Sequence, residues 1–141
     1  MKLQSSFTPA YVNLADLYRI QQRDPDGERL LREAAKAAPD DASVAHALGL
    51  LLVREKKVDE AVAWLKRAAE RAPDSARYAY VYGVALHSTG KVEAAIARLR
   101  QALAAHPNDR DILEALASFH QARGDGAEAK NYAERLRKLS E

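Results

Sequence analysis

Apolar residues recur along this chain at helical spacing, and they do so in blocks of constant length. Ala45, Leu48, Gly49 and Leu52 stand at i, i+3, i+4 and i+7 and so share one face of a helix. Ala61, Val62, Leu65, Ala68, Ala69 and Ala72 form the matching stripe of a second helix. The block then repeats. Pro39, Pro73 and Pro107 lie 34 residues apart, and the same step relates Ala61, Ala95 and Ala129; Leu31, Leu65 and Leu99; Ala34, Ala68 and Ala102; and Gly49 with Gly83. Several columns in one register mark an array of like supersecondary units. The small residues Gly49, Gly83, Ala61 and Ala95 let two antiparallel helices approach closely, because interaxial distance follows side-chain size at the contact.

Eight helices are predicted, near residues 8–21, 25–38, 42–55, 58–72, 76–89, 92–105, 109–123 and 126–139. Asp24 is expected to cap a helix that opens on Pro25, and Asp41, Ser75 and Asp109 stand where later caps are needed. Gly90 and Gly124 mark the turns inside the third and fourth helix pairs.

Composition narrows the chemistry. A chain of 141 residues with 48% hydrophobic content has the material for one compact domain with a real core. Its net charge of +2 offers no electrostatic case for nucleic acid or an anionic membrane surface. The absence of cysteine excludes disulfides, thiolate metal sites, covalent haem attachment and thiol nucleophiles within the chain. No apolar run approaches the roughly 20 residues of a membrane span, and the opening MKLQSSFTPAY lacks a signal peptide's apolar stretch. The expectation is a cytoplasmic protein, or a segment of a longer exported one.

Candidate catalytic groups do not converge. His46, His87, His106 and His120 form no metal-ligand spacing, no Gly-rich phosphate loop is present, and no serine sits in a nucleophile elbow. The acid pairs Asp24/Asp26 and Asp40/Asp41 fall in inter-helix turns, where carboxylates cap amides and favour the helix dipole. The sequence therefore predicts no enzyme, no cofactor and no metal.

Each block resembles the tetratricopeptide repeat. The pattern reads Ala45, Leu48-Gly49, Leu52, Ala61, Leu65, Ala68, Pro73 in the second and Ala79, Tyr82-Gly83, Leu86, Ala95, Leu99, Ala102, Pro107 in the third. In the first, Tyr11, Leu14-Ala15, Tyr18, Gly27, Leu31, Ala34 and Pro39 keep the pattern with Ala and Gly exchanged. The fourth runs Leu113, Leu116-Ala117, His120 and Ala129, then departs at Ala133 and Leu136. The resemblance implies an all-α, right-handed α-solenoid of about four helical hairpins in a single domain, with repeats near 8–41, 42–75, 76–109 and 110–141 and residues 1–6 as the remnant of a preceding repeat.

Such solenoids bind a peptide or protein segment on the concave surface lined by the first helix of each hairpin. By the family's pattern that groove takes Val12, Asp16 and Arg19 from the first repeat, and Ser43, His46, Leu50 and Val53 from the second. Arg77, Tyr80, Val84 and His87 follow from the third, and Asp111, Glu114, Ser118 and Gln121 from the fourth. Leu50, Val84 and Tyr80 are the expected apolar anchor. Family members that grip the C-terminal carboxylate of heat-shock chaperones use Lys, Asn and Arg at positions held here by Val12, Asp16, Ala47, Arg77 and Val81, of which only Arg77 fits, so the resemblance argues against that partner.

The stretches 7–19, 76–91 and 108–119 are also similar to the C-terminal repeat region of bacterial exported multihaem cytochromes c, which implies a docking module in the periplasm. The alternative to a peptide-binding scaffold is a structural or oligomerisation segment of such a larger exported protein. The two ends differ. The last helix carries Lys130, Asn131, Glu134, Arg135, Arg137 and Lys138 outward and can cap the array. The first carries Phe7, Ala10, Leu14 and Leu17 on the flank where a preceding hairpin would sit, which predicts an array continuing upstream and, for the isolated chain, a homodimer through the first hairpin.

Overall fold

The computed structural model describes residues 8–141, and the expectations placed on Phe7 and on residues 1–6 lie outside them. The described residues form eight α-helices and no strand: α1 Thr8–Ile20, α2 Asp24–Ala37, α3 Ala42–Arg54, α4 Val58–Arg71, α5 Ala76–Ser88, α6 Val92–Ala105, α7 Arg110–Arg123 and α8 Gly126–Lys138. Every helix end lies within one residue of its predicted place. Consecutive helices pair as hairpins, α1 with α2, α3 with α4, α5 with α6 and α7 with α8.

The turn inside each hairpin is built one way. Gln22, Lys56, Gly90 and Gly124, one per repeat, take left-handed backbone with φ of 59°, 63°, 83° and 90°. The next amide reaches back to close the preceding helix, as in Arg23 N to Tyr18 O at 2.7 Å and Lys91 N to Leu86 O at 3.0 Å. Glycine enters this conformation without the Cβ clash that Gln and Lys meet.

Between hairpins the caps are side chains. Asp41 accepts from the amides of Ser43 and Val44, Ser75 from Tyr78, and Asp109 from Ile112. Asp24 departs from expectation: the N-cap of α2 is Arg23, with no side-chain cap, and Asp24 is the first helical residue, where its carboxylate takes the guanidinium of Arg54 at 3.2 Å. The three-residue turn of Gln21, Gln22 and Arg23 puts at the N-cap an arginine, whose side chain has no oxygen to accept from the helix amides. Lys57, Lys91 and Asp125, the N-caps of the other second helices, likewise make no side-chain cap.

The chain divides into two compact units, Met1–Ala72 and Pro73–Glu141. In the first, α2 packs on α3 and α1 lies beside α3, and the core gathers Ala15, Leu31, Leu48, Leu51, Leu52 and Ala61 with Val12, Leu30, Ala47 and Trp64 packed against it. Ala34, Ala35 and Val44 form a second cluster that Trp64 also touches. Each fully buried leucine contributes about 2 kcal/mol of transfer free energy. In the second unit α6 packs on α7 and α5 lies beside α7, with Ile96, Leu99, Leu103, Ile112, Leu113, Leu116 and Phe119 buried.

Both units show why their hairpins carry glycine. A Cβ on Gly49 would stand 2.6 Å from Leu65 Cδ2, and one on Gly83 would stand 2.7 Å from Leu99 Cδ2. The second helix presses its leucine straight onto the backbone of the first.

Candidate polypeptide-binding faces

In the first unit the predicted residues sit on two neighbouring helices. Asp16 and Arg19 are exposed on α1 and pair with each other, Nε to Oδ1 at 2.8 Å. The Arg19 hydrogen bond holds the Asp16 carboxyl below its ordinary range against slight burial, and Asp16 in turn raises Arg19. Val12 is half-buried and packs against both core clusters, so much of its surface serves α1 itself. On α3, His46 and Leu50 are half-buried and Val53 is 41% exposed. Ser43 is committed to capping, its hydroxyl 2.5 Å from Asp41 Oδ1.

In the second unit Arg77, Tyr80, Val84 and His87 project from α5, and Asp111, Glu114, Ser118 and Gln121 from α7. Arg77, Asp111, Glu114, Ser118 and Gln121 are exposed; Tyr80, Val84 and His87 are half-buried. The His87 ring lies flat on Phe119 of α7, centroids 3.9 Å apart and planes 4° from parallel. Beside that stack is a cavity of about 130 Å³ lined by His87, Val92, Phe119, Ala122 and Arg123. Leu50 belongs to the first unit, and Tyr80 and Val84 to the second.

The His87–Phe119 stack and its cavity were not foreseen. Two repeats earlier, the places of Val92 and Ala122 are held by Asp24 and Arg54, which form an ion pair. The replacement of a charged pair by two small apolar residues was the available signal. Thr8 was missed as well: its hydroxyl donates to Asp41 Oδ2 at 2.7 Å and ties α1 to the cap of α3. No group of three or more metal-ligating side chains occurs among the described residues, and no helix there is long and apolar enough to cross a membrane.

Comparison with known proteins agrees with this geometry. Sequence profiles described as tetratricopeptide repeat match residues 12–76 and 46–110, and a further one matches 86–139. The solved structure "MamA MSR-1 C2" is 30% identical, with 92% of this chain and 75% of that one aligned and a TM-score of 0.78. "MamA AMB-1 C2221" is also 30% identical, covering 92% and 76%, with a TM-score of 0.76. "Crystal structure of MamA" reaches a TM-score of 0.82 over 91% and 75% at 18% identity, where the likeness speaks for fold alone. The all-helical, eight-helix architecture is thus that of the tetratricopeptide solenoid. No curated protein sequence matches. The similarity to multihaem cytochromes c finds no support in these matches, which are to tetratricopeptide proteins.

Proposed function

Since this chain belongs to the tetratricopeptide-repeat family, we propose that it holds a polypeptide segment against the faces of its first helices, the α5–α7 face foremost. Proteins of this family are in general interaction scaffolds and not enzymes. One observation carries the reading. Tyr80 and Val84 expose apolar surface on α5, beside the flat His87–Phe119 stack and its small cavity, and Arg77 supplies an exposed cation on the same helix. Amphipathic aromatic surface with a nearby charge suits a ligand with an apolar anchor and an acidic group. Leu50 and Val53 offer a further apolar surface on α3, and α1 beside it carries the Asp16–Arg19 pair.

Panning a displayed peptide library on the intact chain tests this. Enriched peptides should carry an apolar residue and a carboxylate, and Arg77→Ala with Tyr80→Ala should abolish their binding while far-UV circular dichroism stays unchanged. Undiminished binding to the double variant would remove the α5–α7 face from consideration.

A second reading, self-association, is favoured by the exposure of α1. Leu14 is 37% exposed and Leu17 51%, whereas the residues one and three repeats later are Leu48 at 0% and Leu116 at 0%, and Leu51 at 1% and Phe119 at 8%. In those repeats the flank is covered by the second helix of the preceding hairpin, α2 over α3 and α6 over α7. The α1 stripe of Ala10, Asn13, Leu14, Leu17 and Ile20 bears no charge to oppose pairing with itself. We infer a two-fold dimer through α1. Leu17→Lys should convert it to a monomer of unchanged helicity in analytical ultracentrifugation, and a wild-type chain that stays monomeric at high concentration excludes it.

A further inference from the structure

We propose that the cleft between α6 and α8 is a ligand site apart from the first-helix faces, and that it takes a phosphorylated side chain of a polypeptide between the guanidinium groups of Arg100 and Arg135. The cleft has a volume of about 280 Å³ and is lined by Arg100, Leu103, Ala104, Pro107, Tyr132 and Arg135. No carboxylate lines it.

Neither arginine has a counter-ion among the described residues. Elsewhere arginines are spent within the fold, Arg19 on Asp16, Arg54 on Asp24, Arg71 on Asp40, and Arg123 on Glu93 and Asp125. The column of Arg100 sharpens the contrast. Two repeats earlier Arg32 is held by Glu28 at 2.9 Å and Glu60 at 2.6 Å, and one repeat earlier Lys66 lies 3.9 Å from Glu70. In the register of Arg100 the places of Glu28 and Glu70 are taken by Ile96 and Ala104. The place of Glu60 keeps an acid, Glu128, which lines an adjoining cavity and forms no ion pair with Arg100 among the described residues. The cation is kept while its neutralising partners are gone.

The opposite wall is held in place. Arg135 donates to the carbonyl of Pro107 at 3.3 Å, and its guanidinium stands 5.9 Å from the centroid of the Tyr132 ring, on which His120 stacks at 5.6 Å. Tyr132 is only 8% exposed, and its hydroxyl makes no hydrogen bond among the described residues, which leaves it a donor for a ligand oxygen. A guanidinium presents a planar fork of donors that matches the oxygens of a phosphoryl group. A phosphorylated side chain carries about −1.5 to −2 charges at neutral pH, so it balances two guanidiniums where a single carboxylate balances one.

The cleft continues along α8. A second cavity, of about 430 Å³, shares Tyr132 and Arg135 with the first and adds Glu128, Asn131, Glu134 and Lys138. A ligand that fills both extends well past its phosphoryl group, as a chain segment does, and Asn131 offers a donor and an acceptor to a backbone amide. Glu128 and Glu134 outnumber Lys138 there, which suits a basic residue beside the phosphorylated one.

A peptide library built around one phosphoserine, with its flanking positions randomised, is screened on the whole chain, and the retained peptides are measured by fluorescence polarisation. They should carry Lys or Arg beside the phosphoserine, and their unphosphorylated forms should bind about tenfold more weakly or worse. Arg100→Gln and Arg135→Gln should each cause a similar loss. Arg100 holds nothing in the fold, so its replacement should leave the melting temperature unchanged. Arg77→Ala with Tyr80→Ala, which disables the α5–α7 face, should leave phosphopeptide binding intact. The site is overturned if no peptide is retained, if phosphorylation makes no difference, or if Arg100→Gln binds as tightly as wild type. Displacement of the peptide by an equal concentration of inorganic phosphate would reduce the cleft to a free-anion site, and tighter binding of vesicles containing phosphatidic acid would assign it to a membrane; either result excludes a polypeptide ligand.

Discussion

The contact between Gly83 and Leu99 allows a quantitative test of how closely the hairpins are packed. A methyl group on Gly83 would lie 2.7 Å from Leu99 Cδ2 and 2.8 Å from Cγ, distances at which something must move. Gly83→Ala gains about 1 kcal/mol of helix propensity and loses roughly 1–3 kcal/mol to overpacking, a net effect between neutral and about 2 kcal/mol destabilising. Leu99 is fully buried, so Leu99→Ala alone should cost about 2–5 kcal/mol. In the double variant the clash vanishes and the new methyl occupies part of the cavity. The two changes should therefore fall short of additivity by about 2 kcal/mol, against the few tenths expected of independent sites. Urea unfolding followed by far-UV circular dichroism measures all four corners of the cycle. The fourth repeat already carries the double arrangement, with Ala117 and Ala133 in these columns. Additive effects would mean that the helices do not meet at this point.

Lys56→Gly removes a lysine from left-handed backbone at φ 63° and should stabilise the chain by about 0.5–1 kcal/mol, whereas Gly124→Ala, at φ 90° with open space around it, should cost about 1 kcal/mol through backbone strain alone; reversed signs in chemical denaturation would refute the turn geometry. His120 is 3% exposed in a column where the second and third repeats carry Leu52 and Leu86, and its Nε2 is buried without a partner among the described residues. His120→Leu should therefore raise stability by about 1 kcal/mol despite losing the 3.3 Å contact to Asp125, and a drop in melting temperature would show that this contact matters more.

The fold was legible because a repeated sequence states each structural rule several times. Asp41, Ser75 and Asp109 fill one capping position, and a third instance leaves little room for coincidence. What escaped notice was whatever broke the period. Thr8, Glu28 and the His87–Phe119 stack each act through partners about 30 residues away, on elements whose registry fixes which side chains meet. Asp24 was assigned a cap because Pro25 follows it, while the tight turn gave its carboxylate to Arg54 instead. The candidate faces were legible as helix positions, since their exposure follows from the same periodicity that defines the core. Their chemistry was less so: Ser43 turned out to be spent on a cap and Val12 on the core.

The exchange of glycine and alanine in the first repeat bears on how such an array can be remodelled. In the second and third hairpins the first helix gives up its Cβ, at Gly49 and Gly83, while the second helix keeps one, at Ala61 and Ala95; in the first hairpin Ala15 and Gly27 reverse the roles. Joining α1 to α4 would bring Ala15 against Leu65 and Ala61 together, more bulk than either natural pair admits, and joining α3 to α2 would set Gly49 against Gly27 and leave a void. A genetic crossover that exchanges helices between the first hairpin and the second or third thus creates a misfit whichever way the pieces combine, whereas one in the Pro39 or Pro73 linkers transfers each matched couple intact. The first hairpin is thus heritable only as a whole, and its single helices are not spare parts for those of the second and third.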